Sequence, residues 1–411
     1  MEKMNQNRKD KGRLILFVGV YDTLDIFMYE IQKELESLGY ETMLFDSSQM
    51  NQSLVTLSEY VKRPVKAALT FNNLGFNMEL VPGKNLWDEL GIVMINILMD
   101  HPFCYKKALD AAPRNGIVLC PDRKHMAYLN RFYPGLMATG FLPHGGKYEP
   151  GQPVKPWEER KKQVMYAGNL SRSFVANIMP DLSKLHYSVA WDLKQMCDEV
   201  VEDVIAHPRK TTEEGMEEWL LSHGIHLEDG ELCQVIADLH YIDLLIVSHY
   251  RERIVQAVAE SGLELDLYGA GWENCSWIHA SNVHYHGKVS AYQVVEEMKD
   301  SKVILSTMTW FKDGTHDRVF NGMLQGALTV SDCSDYMVEE FQGGASYGEE
   351  HQEMILFSLD EMDTLGERIR ELLQDEKRAK EVAMRGREHA IRAHSLQERA
   401  RELDRDLLSV L

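Results

Sequence analysis

The stretch that decides the fold reads Leu14-Ile-Leu-Phe-Val-Gly19, a continuous apolar run that ends in glycine. Such a run is typical of a parallel strand that is buried on both faces of a sheet. Phe27, Ile31 and Leu35 follow at helical spacing, and Gly39 ends that helix. The chain therefore begins with a buried strand and an amphipathic helix.

The same alternation continues through the N-terminal third of the chain. Further strands are predicted at 41–45, 65–70, 92–98 and 116–120, with helices between several of them. Strand and helix in alternation predict a parallel sheet that is covered on both faces. Residues 1–150 are therefore expected to form a doubly wound, Rossmann-like α/β domain.

The pattern restarts after a segment rich in glycine, proline and charge, which predicts a linker at 151–162. Val164-Met-Tyr-Ala-Gly168 is again an apolar strand that ends in glycine. A second Rossmann-like domain is predicted at 163–385, with a helical insertion at about 175–260 and a C-terminal helix at 386–411. The fold class is thus α/β, with two such domains facing a cleft. Further strands of the second domain are predicted at 263–268, 283–286, 303–306, 327–331 and 354–357.

The amino-acid composition limits the classes of partner that the protein is expected to bind. The 411 residues include 64 acids and 44 bases, so the formal net charge is −20. Such a field repels nucleic-acid phosphates and anionic lipid. No stretch approaches the ~20 apolar residues that cross a bilayer, and the polar start lacks a signal-peptide pattern. The six cysteines are scattered along the chain and are expected to be reduced thiols. The sequence therefore predicts a cytoplasmic protein.

The most informative motif is Asp313-Gly-Thr-His-Asp-Arg-Val-Phe-Asn321, a glycine-containing loop that leads into a short helix ending at Gly326. A helix N-terminus presents free backbone N–H groups and a positive dipole, which suit a phosphate. Arg318 can add a forked contact to a diphosphate. The alternative is a surface arginine that pairs with Asp317 or Asp313.

This segment resembles the donor site in the C-terminal domain of GT-B glycosyltransferases, in particular the CgeB-like spore-maturation group. That family carries two acidic residues eight positions apart, matched here by Asp313 and Asn321 (321 − 313 = 8). The resemblance implies that Asp313 and Gly314 contact the sugar and Asn321 the ribose. It also implies a donor loop formed by Thr315, His316 and Asp317 beside Arg318. Asparagine is a neutral partner for a ribose hydroxyl, so sugar and nucleotide stay open.

Three further strand-end loops match the same resemblance. His286-Gly-Lys-Val289 is similar to the loop beside the nucleotide base, which implies that Gly287 and Val289 hold the base. Tyr166-Ala-Gly-Asn169 resembles the glycine loop that opens the second domain. Tyr268-Gly-Ala-Gly271 is similar to the loop after the next strand. The donor-binding residues that these loops contribute are Gly168, Asn169, Arg172, Tyr268, Gly269, His286, Gly287, Lys288 and Val289.

In the N-terminal domain, Asp100-His101-Pro102 ends the strand at 92–98 and resembles the N-terminal half of the CgeB-like group. Asp100 or His101 can position or deprotonate an acceptor hydroxyl. The alternative is that Asp100 caps a helix and His101 is buried and hydrogen-bonded. Together with Arg318, these two residues are the catalytic candidates.

The resemblance implies a bacterial, metal-independent glycosyltransferase, of the hexosyl- or N-acetylhexosaminyl-transferase class, that uses a nucleoside-diphosphate sugar. A UDP-sugar is favoured as donor, no metal or other cofactor is expected, and the acceptor is a glycan, a protein or a small molecule. Two alternatives stay open: a nucleotide-sugar epimerase on the same scaffold, and a non-catalytic nucleotide-sugar-binding interaction protein. No pattern indicates an oligomeric state.

Overall fold

The computed structural model describes residues 10–341 and 351–411, which divide into two compact units. Unit 1 takes its described residues from 1–149, 290–292 and 391–411. Unit 2 takes its described residues from 150–289 and 293–390. The final residues of the predicted C-terminal helix therefore group with unit 1.

Unit 1 contains a six-stranded parallel sheet in the order β2-β1-β3-β6-β7-β8. The side chains of Leu14, Ile15 and Leu16 in its first strand are fully buried, as the continuous apolar run predicts. Gly39, in a left-handed conformation at φ 110°, ends the first helix. The elements are β1 Gly12–Val18, α1 Asp22–Leu38, β2 Tyr40–Asp46, α2 Met50–Tyr60, β3 Ala67–Phe71, β4 Glu79–Val81, β5 Lys84–Asn85, α3 Leu86–Leu90, β6 Val93–Ile97, α4 Lys106–Asp110, β7 Gly116–Cys120, α5 Arg123–Phe132 and β8 Ala138–Phe141.

Unit 2 contains a second six-stranded parallel sheet, in the order β11-β10-β9-β12-β13-β14. Between β9 and β10, the first two strands of this sheet in sequence, the chain forms several helices, and this is where the helical insertion is predicted. Two parallel sheets with intervening helices confirm the predicted α/β class. The elements are β9 Lys162–Ala167, α6 Arg172–Ile178, α7 Leu193–Ala206, α8 Thr212–Ser222, α9 Asp229–Asp238, α10 Tyr241–Glu260, β10 Leu265–Tyr268, β11 Val283–Gly287, α11 Ala291–Met298, β12 Ser301–Ser306, α12 Asp317–Leu324, β13 Leu328–Asp332, α13 Asp335–Glu340, β14 Ile355–Phe357, α14 Leu365–Gln374 and α15 Glu376–Ala393. The last helix, α16 Leu396–Glu402, belongs to unit 1.

Strand order fixes where each sheet can bind a ligand. In unit 2 the order reverses between β9 and β12, and in unit 1 it reverses between β1 and β3. Open α/β sheets bind ligands outside the carboxyl ends of their strands at such switch points. Each unit therefore presents one switch point at which to look for function.

Two expectations from the sequence are that the cysteines are reduced thiols and that no segment crosses a bilayer. All six cysteines are free thiols. Among the helices that the structure describes, none is long and apolar enough to cross a bilayer.

Candidate functional site

The unit 2 switch point is lined by the residues that follow β9 and β12. Gly168 follows β9, and Ser306 and Thr307 lie at the end of β12. The hydroxyl of Tyr166, a fully buried residue of β9, lies 2.9 Å from the Thr307 hydroxyl and joins the two strand ends. These residues form the floor of the candidate site.

Arg318 reaches this floor from the first turn of α12. Its side chain is buried, and Nη1 donates to the carbonyl of Thr307 at 3.3 Å and to the hydroxyl of Ser306 at 3.5 Å. The guanidinium lies 5.3 Å from the ring centroid of Tyr166. Arg318 is therefore a buried residue of the site and not a surface arginine paired with Asp317 or Asp313.

A second buried arginine, Arg251 of α10, meets the same floor. Its Nη1 donates to the carbonyl of Asn169, and Nε donates to the hydroxyl of Thr307 at 3.4 Å. Its guanidinium carbon lies 5.0 Å from the ring centroid of Trp310. Burial lowers the pKa of Arg251, and the positive charge of Arg318 lowers it further. The two guanidinium groups therefore lie close enough to repel each other.

Arg251 is absent from the residues predicted from sequence, because it lies in the helical insertion, outside every recognised motif. A signal was present, however. Val247, Ile254 and Val255 are apolar residues at helical spacing around it, and all three are buried with it. An arginine at a core-facing helix position almost never stays buried without a partner, so this pattern points to a bound group or a buried network.

The negative charge of the buried Asp332 acts on Arg251 from beyond ion-pair distance. Within 10–341 and 351–411, neither Arg251 nor Arg318 forms an ion pair with a carboxylate, and both donate to neutral oxygens. A buried charge that has lost its partner costs about 3–5 kcal/mol. Two adjacent guanidinium groups in this state are suited to a dianionic ligand, which accepts forked hydrogen bonds from both.

The loop before α12 adds polar groups to the site. His316 caps the helix, its Nδ1 accepting from the backbone N–H of Arg318 at 3.2 Å, and burial together with the charge of Arg318 lowers the pKa of His316. The hydroxyls of Thr309 and Thr315 are buried, and no residue in the described part of the chain bonds to them. These two hydroxyls are available to a ligand at the loop.

The remaining predicted loop residues lie around this helix start. The carbonyl of Gly314 accepts a hydrogen bond from the Ser334 hydroxyl at 2.5 Å, which fixes the loop, and Asp313 is half-buried beside it. Asn321 is buried, and its Nδ2 donates to Oδ2 of Asp317 at 2.9 Å. The predicted ribose contact by Asn321 stays a prediction, because this amide is engaged one turn back along α12.

Glycine allows two strand-end loops to approach closely. Gly269 has φ 125°, and a Cβ there would lie 2.2 Å from the carbonyl oxygen of Gly168. The indole N–H of Trp272 donates to that same oxygen at 2.8 Å, and Asn169 Oδ1 accepts from the N–H of Ala270 at 2.9 Å. The loops after β9 and β10 thus support each other beside the arginine pair.

The residues predicted to hold the base lie at the end of β11. His286 stacks on Tyr268, with ring centroids 4.4 Å apart, and its Nε2 lies 2.8 Å from Oδ1 of Asp266. Gly287 has φ 68°, Lys288 is exposed, and Val289 packs against a small core cluster that includes Tyr268. A stacked aromatic pair beside a left-handed glycine offers a flat surface, and the base contact stays a prediction.

Arg172 lies apart from the buried pair. It is exposed on α6, and its Nη1 pairs with Oε2 of Glu252 at 2.9 Å. The positive charge at the floor of the site therefore comes from Arg251 and Arg318.

The two N-terminal candidates differ in their surroundings. Oδ2 of Asp100 accepts from the Tyr105 hydroxyl at 2.8 Å and from Nδ2 of Asn72 at 3.2 Å. His101 is buried, its Nδ1 accepts from the N–H of Phe103 at 3.2 Å, and its ring stacks on the Phe103 ring at 3.8 Å. His101 thus caps a helical turn, and Asp100 is the exposed member of the two.

The sequence of residues 251–405 matches the family model described as glycosyl transferase-like. The match begins at Arg251 and includes Arg318, so both buried arginines fall within it. It covers less than half of the chain, and within that part it confirms the predicted class of activity, glycosyl transfer. No curated protein matches the chain.

Several solved structures share the fold over nearly the whole chain. Sucrose-phosphate synthase from Thermosynechococcus elongatus matches with a TM-score of 0.54 and 12% identity, over 97% of this chain and 100% of that one. HepE of Anabaena, in complex with UDP and glucose, matches with a TM-score of 0.52 and 11% identity over the same shares. AviGT4, a glycosyltransferase involved in avilamycin A biosynthesis, matches with a TM-score of 0.50 and 10% identity, over 97% and 99%. These similarities confirm the predicted GT-B fold.

Proposed function

We propose that this protein transfers a glycosyl group from a nucleoside-diphosphate sugar to an acceptor. The observation that carries the proposal is the pair of buried guanidinium groups at the switch point of unit 2, Arg251 and Arg318, which form no ion pair with a carboxylate among the described residues. A diphosphate supplies the missing negative charge and the forked acceptor geometry. The match of 251–405 to a glycosyl transferase-like family supports the same activity.

The chemistry follows from the charge that develops during transfer. An acceptor nucleophile attacks the anomeric carbon, the bond from that carbon to the diphosphate oxygen breaks, and the bonding electrons leave with the nucleoside diphosphate. Fixed donors that stabilise such a leaving group contribute most when water is excluded. Arg251 and Arg318 fill this role. Because these groups supply positive charge directly, we propose transfer without a metal.

The other donor contacts remain proposals from the resemblance to the CgeB-like group. We propose that Gly287 and Val289 hold the base and Asn321 the ribose, while Asp313 and Gly314 contact the sugar. The buried hydroxyls of Thr309 and Thr315 join this loop as further hydrogen-bond partners. A UDP-activated hexose or N-acetylhexosamine is the proposed donor, because HepE, which shares the fold, binds UDP and glucose.

The cellular compartment of the protein is also a proposal. Six free thiols suit a reducing compartment, and nucleotide sugars are soluble metabolites, so we propose that the protein acts in the bacterial cytoplasm. The proposed acceptor is a glycan, a protein or a small molecule.

The direct test is turnover of a donor panel. UDP-glucose, UDP-galactose, UDP-N-acetylglucosamine, GDP-mannose and TDP-rhamnose are each incubated with the protein and a mixture of sugars, with and without EDTA. We expect release of UDP together with a glycosylated product in the mass spectrum, unchanged by EDTA. Conversion of the sugar without UDP release would identify an epimerase instead. Binding of UDP without any turnover would identify a non-catalytic protein.

A further inference from the structure

The carboxyl end of β13 carries a buried acid to which the proposed function assigns no role. Asp332 is the last residue of this strand, and its side chain is only 2% exposed. In the sheet β13 lies next to β12, and Ser306 is in register with Ser331, so Asp332 lies beside Thr307. An aspartate is almost never fully buried unless it has a partner. The surroundings of Asp332 therefore indicate a specific role at the donor site.

A single peptide group connects Asp332 with Arg318. Oδ1 of Asp332 accepts a hydrogen bond from the backbone N–H of Met308 at 2.7 Å. The same peptide group carries the carbonyl of Thr307, which accepts from Nη1 of Arg318 at 3.3 Å. Hydrogen bonds in series polarise one another in a buried environment. A negative charge on Asp332 therefore strengthens the bond that holds Arg318 against the floor of the site.

Two cations from other elements face the same carboxyl group. The negative charge of Asp332 acts on Arg251 of α10, and Lys312, in the loop after β12, favours the ionised form of Asp332. The remaining titratable neighbour is the thiol of Cys333, whose pKa is raised by burial and by the charge of Asp332, so it stays neutral. The ionised carboxyl thus offsets part of the buried positive charge of unit 2.

The two oxygens of this carboxyl group differ in their contacts. Among the residues that the structure describes, the N–H of Met308 and the hydroxyl of Ser331, at 3.4 Å, both donate to Oδ1, and none donates to Oδ2. Burial raises the pKa of Asp332 to about 6, against the opposing effects of the Met308 N–H and of Lys312. Oδ2 can therefore take up a proton near neutral pH while Oδ1 still holds the loop.

A bound diphosphate changes this charge balance. It brings two negative charges to Arg251 and Arg318, the same cations that Asp332 influences in the free protein. A like charge nearby disfavours an ionised carboxyl group, and protonation of Asp332 removes that repulsion. The free protein needs the charge of Asp332, and the liganded protein is more stable without it.

We propose that Asp332 is a positioning residue of the donor site, which is ionised in the free protein and takes up one proton at Oδ2 when a diphosphate binds to Arg251 and Arg318. This inference rests on the proposed function and concerns the regulation of that same site. The proton comes from solvent, and no other covalent bond forms or breaks. Because binding consumes a proton, affinity for the donor rises as the pH falls through the neutral range.

Calorimetry with UDP-glucose on the full-length protein measures this proton. The diphosphate of a nucleotide sugar has no terminal phosphate that titrates near neutral pH, so the uptake belongs to the protein. Titrations at pH 7 in Pipes and in imidazole, two buffers of different ionisation enthalpy, give the number of protons taken up. We expect about 0.5–1 proton for each UDP-glucose bound, and about tenfold tighter binding at pH 6 than at pH 8.

Asp332→Asn separates the charge of the residue from its structural contact. Asparagine keeps an oxygen for the Met308 N–H and resembles the protonated acid, so this variant should bind UDP-glucose about tenfold more tightly than the wild type at pH 8, without proton uptake. Loss of a merely structural contact would weaken binding instead. Asp335→Asn is the matched control, because Asp335 is an exposed acid at the start of α13 that pairs with Arg209. It should behave like the wild type.

The outcomes distinguish this inference from the proposed function. Binding of UDP-glucose to the wild type without proton uptake would overturn the inference, whatever the stability of the variants. Proton uptake that persists in Asp332→Asn would also overturn it and would point to His316, whose lowered pKa keeps it neutral in the free protein. Failure of the wild type to bind any nucleotide sugar of the donor panel would instead overturn the proposed function.

Discussion

At the scale of single residues, unit 2 holds buried cations in two opposite situations. Arg251 and Arg318 have no carboxylate partner within the part of the chain that the structure describes, so they favour an incoming anion. His389 of α15 has two partners, because Nδ1 lies 2.8 Å from Oε2 of Glu353 and Nε2 lies 3.1 Å from Oε1 of Glu340. The first arrangement suits ligand binding, and the second suits stability.

His389 should make the stability of unit 2 depend on pH. Its two glutamate partners raise its pKa to about 9 against the opposing effect of burial. Because the folded pKa lies above the unfolded value of about 6.5, the stabilisation is complete below that value and is lost as the pH rises through 9. We expect His389→Gln to lose about 2 kcal/mol at pH 6, after allowing for partial solvent screening.

Urea unfolding of wild type and His389→Gln at pH 6 and pH 10 measures this effect. The difference in unfolding free energy between the two proteins should shrink at the higher pH. His284→Gln is the matched control, since His284 is an exposed residue that pairs with Glu264 at 2.6 Å. A constant difference across this pH range would show that the histidine is not charged in the folded protein.

At the scale of elements, the donor site depends on short loops after β9, β10 and β12. The loop after β10 passes so close to the loop after β9 that Gly269 has no room for a side chain. Its N–H also donates to the carbonyl of Gly287 at 2.8 Å, which connects it to the loop after β11. A change at Gly269 should therefore disturb three loops together.

Gly269→Ala is expected to destabilise unit 2 and to weaken UDP binding. The matched control is Gly224→Ala, because Gly224 also has positive φ, at 72°, but a Cβ there meets no atom within 4 Å. Both variants incur the strain of about 1–3 kcal/mol for a side chain in this conformation. Only Gly269→Ala adds the steric clash, so it should unfold at lower urea than Gly224→Ala. Equal midpoints would show that the loop contact contributes nothing.

Strands with a continuous apolar sequence were predictable, and strands with a weak apolar pattern were not. The strand predicted at 116–120 has those bounds in the structure, because all its residues are buried and its apolar run is continuous. β8 and the small hairpin of β4 and β5 were missed. The residues of β8 are only partly buried or exposed, and those of the hairpin are mostly exposed, so neither carries the apolar pattern of a core strand.

The site was predictable only where it follows a local motif. Arg318 was found because it lies at the start of a helix after a glycine-containing loop. Arg251 lies 67 positions earlier (318 − 251 = 67) in a long helix, and only the fold brings it to Thr307. The Asn72 amide and the Tyr105 hydroxyl were missed for the same reason, since their shared contact with Asp100 depends on the neighbouring order of β3 and β6.

At the scale of the whole molecule, the two units share one sheet architecture but have different residues at their switch points. Each has a six-stranded parallel sheet with one reversal of strand order. At that point unit 2 presents the buried positive charge of Arg251 and Arg318, to which we assign the proposed binding of the donor.

The proposed function depends first on the binding of the diphosphate by Arg251 and Arg318. Calorimetry with UDP and with uridine, on Arg251→Gln, Arg318→Gln and the double variant, measures that binding. Arg253→Gln is the matched control on the same helix, since Arg253 is exposed and pairs with Asp363 at 2.8 Å. We predict that each single change weakens UDP binding by about 1.5–3 kcal/mol, the range for a hydrogen bond to a charged group, and leaves uridine binding and the control unchanged. UDP affinity equal to wild type in both single variants, or an equal loss for uridine, would contradict the claim.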